Sequence, residues 1–200
     1  KKVEFLGHVV SDQGIETEAG KVKAIREYPV PSSVTEVRSF LGLAGFYRKF
    51  VKDFSKIAAP LYDFTQSGKL FHWTPECQTA FDTLKQAMSS APVLRLPDPG
   101  LPFVVVTDAS DVGVGAVLMQ DDGKGLRPVA FESRKLRGAE LNYPTHEKEL
   151  LAVVHALRQW RHSLDGQRKF QVVTDHEALK HLQTQPTLSK RQARWLETLQ

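Results

Sequence analysis

Apolar residues recur along this chain with two different periods, and the change of period divides it. Val3 to Val10 is short, apolar and rich in β-formers, with Gly7 inside it. Asp12-Gln13-Gly14 supplies a turn and Ile15 opens a second short stretch, so the start of the chain predicts a hairpin. Glu18 to Tyr28 has the spacing of a short helix that Pro29 and Pro31 end. Ser33-Val34-Thr35-Glu36 has capping-box spacing ahead of Val37, Phe40, Leu41 and Ala44. Gly42 and Gly45 weaken the middle of that helix and predict a bend or a break there. Phe46, Tyr47, Phe50, Phe54, Ile57 and Leu61 continue a helical pattern, interleaved with Arg48, Lys49, Lys52 and Lys56. Thr74-Pro75 reads as an N-cap and first helical proline, with Cys77, Phe81, Leu84 and Met88 following at helical spacing before Pro92.

The period shortens after Leu94 to Gly100, a segment holding Pro97, Pro99 and Gly100 that reads as a linker. Phe103 to Thr107 is a nearly continuous apolar run, suited to a strand covered on both faces. Val112 to Met119 predicts a second strand, Asp121-Asp122-Gly123 a hairpin turn, and Pro128 to Glu132 a third strand. Thr145 can cap a helix through Leu150, Val153, Val154, Leu157 and Trp160 that Gly166 stops. Phe170 to Thr174 predicts a fourth strand, His176 to Leu182 a short helix, and Leu188 to Leu199 a further helix. The fold class expected is α/β, or α+β overall. A mainly helical domain over 1–95 with a short β-hairpin precedes a domain over 96–200 with a mixed sheet and flanking helices.

Composition narrows the possibilities. The chain has 200 residues, with 41% apolar and 25% charged, which is ordinary globular usage. Lys and Arg number 27 against 23 Asp and Glu, a formal charge of +4 that permits a polyanionic partner without demanding one. Cys77 is the single cysteine, which excludes a disulfide framework and a thiolate zinc cluster. No apolar run approaches the roughly 20 residues of a membrane helix, so no membrane partner is expected. The start at Lys1-Lys2-Val3, in a strand and with no initiator Met, reads as a piece of a longer polypeptide.

The candidate chemistry lies in an echo: Val105-Val106-Thr107-Asp108 recurs as Val172-Val173-Thr174-Asp175. Two such strands, separated by a hairpin and a long helix, would lie parallel and deliver both carboxylates to the same strand ends. Glu147 and Glu149 lie in the first turns of the intervening helix, and Glu149 shares a stripe with Val153, Ala156 and Trp160. Three converging carboxylates repel one another unless a cation sits among them. Hard divalent ions such as Mg²⁺ take such oxygen ligands, and two ions roughly 4 Å apart support phosphodiester hydrolysis. The structural alternative is that Asp108 caps the Ala109-Ser110-Asp111 turn, Asp175 caps the helix expected at His176–Leu182, and Glu147 only complements the helix dipole. For the basic residues at 48–56 two readings stand: a solvated face over core aromatics, or a helix face lying along nucleic-acid phosphates. No phosphate-binding glycine loop with its Lys-Ser/Thr is present, nor a Gly-x-Ser-x-Gly elbow.

Several blocks resemble the pol polyprotein of gypsy-type LTR retrotransposons, over essentially the whole chain. In the first half these are Val3-Glu4-Phe5-Leu6-Gly7-His8, the segment Ser39 to Phe50, and Phe71-His72-Trp73-Thr74-Pro75-Glu76-Cys77, similar to the end of a reverse-transcriptase palm and its thumb. In the second half they are Thr107-Asp108-Ala109-Ser110, Ser133-Arg134-Lys135-Leu136, Glu147 to Ala152 and Thr174 to Leu179, similar to the attached RNase H domain. The resemblance implies an RNase H-like mixed sheet with flanking helices after a helical thumb. It implies catalytic and metal-binding roles for Asp108, Glu149 and Asp175, with two Mg²⁺ or Mn²⁺ ions, Asp108 between them, and hydrolysis of the RNA strand of RNA–DNA hybrids to 3′-hydroxyl and 5′-phosphate ends.

Nucleic-acid contacts are expected at Leu6 and Gly7, which match the hairpin holding a primer end, at Arg48, Lys49 and Lys52, and at Arg134 and Lys135. The partners implied are RNA–DNA hybrid, template–primer and the remainder of the pol polyprotein, in an intracellular setting of cytoplasmic virus-like particle and nucleus. The family's Tyr-x-Asp-Asp polymerase signature does not occur here, and its fifth strand, last helix and fourth metal-binding Asp would follow Gln200. Polymerisation by this chain alone is therefore not expected, and weak metal affinity is. The alternative function is a degenerate or co-opted element that only binds nucleic acid or protein.

Overall fold

The computed structural model describes residues 1–66, 70–165, 169–175, 192, 193 and 195. Two compact units share the chain: Lys1–Leu96 with Ala130–Glu132, and Pro97–Val129 with Ser133–Gln200. Among the described residues no helix is long and apolar enough to cross a membrane.

The first unit opens with an antiparallel sheet of three strands, β1 (Val3–Phe5), β2 (His8–Ser11) and β3 (Gly14–Thr17), in that order. The stretch expected as one strand is cut in two by a turn at Leu6 (φ 46°) and Gly7 (φ 75°). Left-handed backbone at both positions matches the twist of a tight hairpin. A leucine in that region is uncommon, so Leu6 does not announce the turn, whereas Gly7 suits it and the family resemblance matches a hairpin there. The Tyr47 hydroxyl donates to the Gly7 carbonyl, and His8 Nδ1 lies 3.0 Å from the Leu6 carbonyl, so side chains hold the turn from beneath. Gly14 (φ +134°) is required by close approach: a Cβ there would sit 2.1 Å from the Leu94 carbonyl oxygen. Ile15 and Leu94 exchange backbone hydrogen bonds of 2.7 and 2.9 Å, so Leu94 is a buried member of this unit and not linker.

Helix α1 (Ala19–Arg26) follows, then α2 (Val34–Phe46). Ser33 Oγ accepts from the Glu36 N–H at 3.2 Å, while the Glu36 carboxylate reaches Ser32 N–H at 2.7 Å, one residue earlier than in an ideal capping box. The expected break at Gly42 or Gly45 does not occur. Burial of Val37, Phe40, Leu41 and Ala44 along one face outweighs the roughly 1 kcal/mol that each glycine costs a helix.

The break comes later. The helical spacing from Phe46 to Leu61 is not one helix but a 3-10 turn (Arg48–Phe50) and two short helices, α3 (Phe54–Ile57) and α4 (Ala59–Asp63). Asp53, at φ 56°, interrupts them. Tyr47, Phe50, Phe54 and Leu61 are still buried, because the core selects their spacing whether or not the backbone ladder is continuous. The long helix α5 (Pro75–Ser89) is capped by Thr74 and buries Cys77, Phe81, Leu84 and Met88; the Phe81 ring meets that of Phe40 at 4.6 Å.

The second sheet has four strands, β4 (Phe103–Ala109), β5 (Gly113–Asp121), β6 (Leu126–Lys135) and β7 (Gln171–Val173), ordered β6-β5-β4-β7, and all of it but Ala130–Glu132 of β6 belongs to the second unit. β4 runs antiparallel to β5 and parallel to β7. Helix α6 (Thr145–Gln159) packs on β4 and β5, and the short α7 (Arg161–Leu164) follows it. Val114, Leu136, Leu150, Leu151, Ala152, Val154 and Trp195 form one core cluster there. The buried Gln120 amide on β5 binds the Asp98 N–H and the Asp98 and Leu101 carbonyls at 2.8–2.9 Å, pinning the start of this unit to its sheet.

Several expectations are corrected. β4 runs one residue past Asp108, to Ala109, instead of ending on the acid, and β6 is longer than Pro128–Glu132 at both ends. Pro144, not Thr145, stands at the α6 N-cap, without a side-chain cap. Val172 and Val173, apolar members of the expected fourth strand, are 38% and 47% exposed. The expected stop at Gly166 and the helix over 176–182 lie outside the described residues. Of the helix expected over 188–199, Gln192, Ala193 and Trp195 are described and are helical.

Candidate active site

Alternation along β4 sends Phe103, Val105 and Thr107 into the core and leaves Asp108 exposed, opposite Gly115 of β5. The β4–β7 register pairs Val104 with Gln171, Val105 with Val172 and Val106 with Val173. Two steps further along the same register, Asp175 falls beside Asp108. Parallel strands end at one edge, so the repeated Val-Val-Thr-Asp becomes a pair in space. From the other side α6 supplies Glu149, 3% exposed, on a stripe whose further members Val153, Ala156 and Trp160 are buried. Carboxylate oxygens of Asp108, Glu149 and Asp175 all lie within 4.8 Å of one another. Glu147 is also buried but does not join that group.

Glu149 carries the electrostatic cost of the arrangement. Its Oε1 accepts the Ala109 N–H at 3.2 Å, while Oε2 is buried with no hydrogen-bond partner. Burial, then the charges of Asp175 and Asp108, push its carboxyl group up to about 7 against the single opposing bond from Ala109. A buried carboxylate oxygen without a donor, beside two further carboxylates, is the donor set of a hard divalent cation. The residues present therefore fit such an ion.

The other expected site residues are placed as follows. Leu6 is 75% exposed at the tip of the β1–β2 turn beside Gly7. Arg48 donates to Ser55 Oγ at 3.2 Å and lies 5.7 Å from the Phe54 ring centre. Lys49 is half-buried over the Phe50 ring, and burial holds its pKa below the usual lysine range. Lys52 is exposed. No continuous helix joins these three, so the single basic helix face expected over 48–56 is not formed. Arg134 is bound bidentately to Glu140 at 2.7 and 2.9 Å, and Glu140 also accepts the Arg137 N–H. Lys135 is half-buried at the end of β6.

A contact that the sequence reading missed lies beside the acids. Lys148 Nζ donates to Asp111 Oδ1 at 2.9 Å, with the Lys148 side chain only 10% exposed. The available signal was a charged triplet, Glu147-Lys148-Glu149, at the start of a helix that otherwise buries its surface.

Comparison with known proteins gives the family. The family described as "RNase H-like domain found in reverse transcriptase" matches residues 73–172. The chain is 41% identical over 98% of its length to the retrovirus-related Pol polyprotein from transposon 297 of Drosophila melanogaster, and 40% identical over 98% to that from transposon gypsy of the same organism. It is 36% identical over its full length to the transposon Tf2-3 polyprotein of Schizosaccharomyces pombe. It spans only 18%, 20% and 15% of those three proteins. Among solved structures it resembles a foamy viral protease–reverse transcriptase in complex with RNA/DNA hybrid, with TM-score 0.82 and 29% identity over 100% of this chain and 28% of that one. The same viral protein in complex with double-stranded DNA gives TM-score 0.83 at 29% identity, over 100% of this chain and 43% of that one. A matched domain over half its length, and relatives of one kind over nearly all of it, place this chain in the family of RNase H-like domains found in reverse transcriptase, as carried by the Pol polyproteins of gypsy-type retrotransposons.

Proposed function

We propose that this chain hydrolyses the RNA strand of RNA–DNA hybrids, with Asp108, Glu149 and Asp175 holding Mg²⁺ or Mn²⁺, two ions in the full site. The observation that carries the reading is the convergence of three carboxylates, far apart in sequence, within 4.8 Å at one end of the sheet. The cations would supply charge neutralisation and an activated water for attack at phosphorus. The chain supplies the geometry. The strand pair fixes Asp108 beside Asp175, and the Ala109 N–H orients Glu149 Oε1. Exposure of the two aspartates leaves the site open to a nucleic-acid backbone, while burial of Glu149 keeps water from its inner face. Preference for RNA would come from 2′-hydroxyl contacts and hybrid shape.

The first unit would act as the end of the palm and the thumb, gripping template–primer through the Leu6–Gly7 turn and Arg48, Lys49 and Lys52. The related viral reverse transcriptase in complex with RNA/DNA hybrid and with double-stranded DNA supports that assignment. Arg134 would act on nucleic acid less directly, since its guanidinium is bound to Glu140.

A labelled RNA–DNA hybrid incubated with the protein and Mg²⁺ or Mn²⁺ tests the reading. Cleavage is expected in the wild type and a loss on the order of 10²-fold or more in Asp108→Asn and in Asp175→Asn. Hybrid binding and thermal unfolding should be retained. Undiminished cleavage in either variant would remove these carboxylates from the chemistry, and equal cleavage of a DNA duplex would remove the substrate assignment.

A further inference from the structure

We propose that Lys148 is a positioning residue for Glu149, acting through Asp111 to hold the first turn of α6 against the β4–β5 turn. This role presupposes the cation-binding reading of the three carboxylates.

Glu147, Lys148 and Glu149 are 6%, 8% and 3% exposed, three successive charged residues buried at the start of one helix. Lysine and glutamate are seldom buried to this degree without partners. The α6 N-terminus has no side-chain cap to fix it. Two adjacent side chains of its first two turns instead reach one short segment. Glu149 Oε1 accepts the Ala109 N–H at 3.2 Å, and Lys148 Nζ donates to Asp111 Oδ1 at 2.9 Å. That segment directly follows Asp108 and is itself stiff. Ser110 N–H and Oγ both donate to the Gly113 carbonyl, at 2.8 and 3.1 Å, and Leu136 N–H donates to the Val112 carbonyl at 2.9 Å. Asp108 and Glu149 are thus attached to the two bodies that Lys148 and Asp111 join.

The join has work to do because the carboxylates repel. Without a cation, Glu149 faces Asp108 and Asp175, and one hydrogen bond from Ala109 opposes its withdrawal. An ion pair one residue away, with a nearly buried ammonium, limits how far the helix start can retreat. Contacts that fix the backbone carrying a ligand set how well that ligand is placed for the ion, even where they do not touch it.

Charge alone and positioning give opposite signs, which makes the proposal sharp. A lysine acting only through its field would weaken cation binding, so Lys148→Met would tighten it. A lysine that positions Glu149 does the reverse. The full chain is titrated with Mn²⁺ by calorimetry, and amide hydrogen exchange at Ala109 is measured in chelator. Lys148→Met and Asp111→Asn are each expected to weaken Mn²⁺ binding about tenfold, with the double variant little worse than either and Lys148→Arg retaining most of the affinity. Exchange at Ala109 should quicken in both single variants.

Tighter or unchanged Mn²⁺ binding in Lys148→Met overturns the proposal, as does unchanged Ala109 exchange. Asp111, whose side chain is 98% exposed, keeps the test decisive if Lys148→Met fails to fold: faster Ala109 exchange in Asp111→Asn supports positioning and unchanged exchange refutes it. A wild type that binds no Mn²⁺ would instead sink the cation reading beneath it, while the exchange result, taken without metal, reports on the clamp by itself.

Discussion

Replacing Glu149 by glutamine removes the charge that the folded second unit tolerates least, and the effect on stability has a defined sign and pH window. The Glu149 carboxyl is held near 7 in the fold against an ordinary value of 4.5. Below about pH 4.5 both folded and unfolded chains keep the proton and the group costs nothing. Between about pH 4.5 and 7 the unfolded chain releases its proton while the folded one retains it, so stability falls as pH rises; above 7 the penalty is complete and constant. A displacement of this size corresponds to at most about 3 kcal/mol, and solvent screening of the exposed Asp108 and Asp175 leaves about 1–2 kcal/mol. Glutamine keeps an oxygen for the Ala109 N–H and gives the neighbouring carboxylates an amide donor within reach.

Glu149→Gln in chelator at about pH 8 is therefore expected to melt roughly 2–8 °C above wild type, and the gain should shrink to a fraction of that at about pH 5. Millimolar Mn²⁺ should reverse the order. Only the wild type has the third carboxylate, so cation binding stabilises it by mass action. Thermal unfolding followed by circular dichroism at both pH values, with and without Mn²⁺, makes the measurement. A variant no more stable than wild type at pH 8 in chelator, or a gain equal at both pH values, would refute the electrostatic account of the site.

Two further outcomes are expected. Thr107→Val should stabilise the second unit by about 1 kcal/mol without changing hybrid cleavage, because the Thr107 hydroxyl is buried and makes no hydrogen bond; urea unfolding would show it as a raised midpoint. Gln120→Leu should cost about 1–3 kcal/mol and quicken hydrogen exchange at the Asp98 amide, since three backbone groups lose the partner that ties 98–101 to the sheet.

The site was more legible in the sequence than the fold around it. Asp108 and Asp175 could be found because a repeated strand ending in an acid, once paired in parallel, must deliver both acids to one edge. Glu149 could be separated from Glu147 because it shares a stripe with Val153, Ala156 and Trp160, all of which are buried. What failed was continuity of backbone. The apolar spacing across Phe46 to Leu61 reports burial, and a 3-10 turn with two short helices satisfies it as well as one helix does. Gly42 and Gly45 were overvalued as breakers because propensity is a weak term beside a packed face. Leu6 in left-handed backbone and the Ile15–Leu94 bridge depend on partners remote in sequence, Tyr47 and Gly14 among them, which no local pattern announces.

The same remoteness explains why Lys148 was passed over. Read locally, a lysine between two glutamates at a helix start is a solvated charge. In the fold, the first turn of α6 is driven into the sheet by Leu150, Leu151 and Val154, and the three charges are carried in with it. Packing therefore forces a choice that electrostatics alone would refuse: either the charges find partners or the helix start loosens. Lys148 takes Asp111, and Glu149 takes one backbone donor and is left with an oxygen unpaired. That residual deficit lies where two more carboxylates converge, so a divalent cation held there, as proposed, would relieve three repulsions by binding once. On that proposal a helix start so placed would be least settled without the ion and most settled with it, coupling local order at Glu149 to loading of the site.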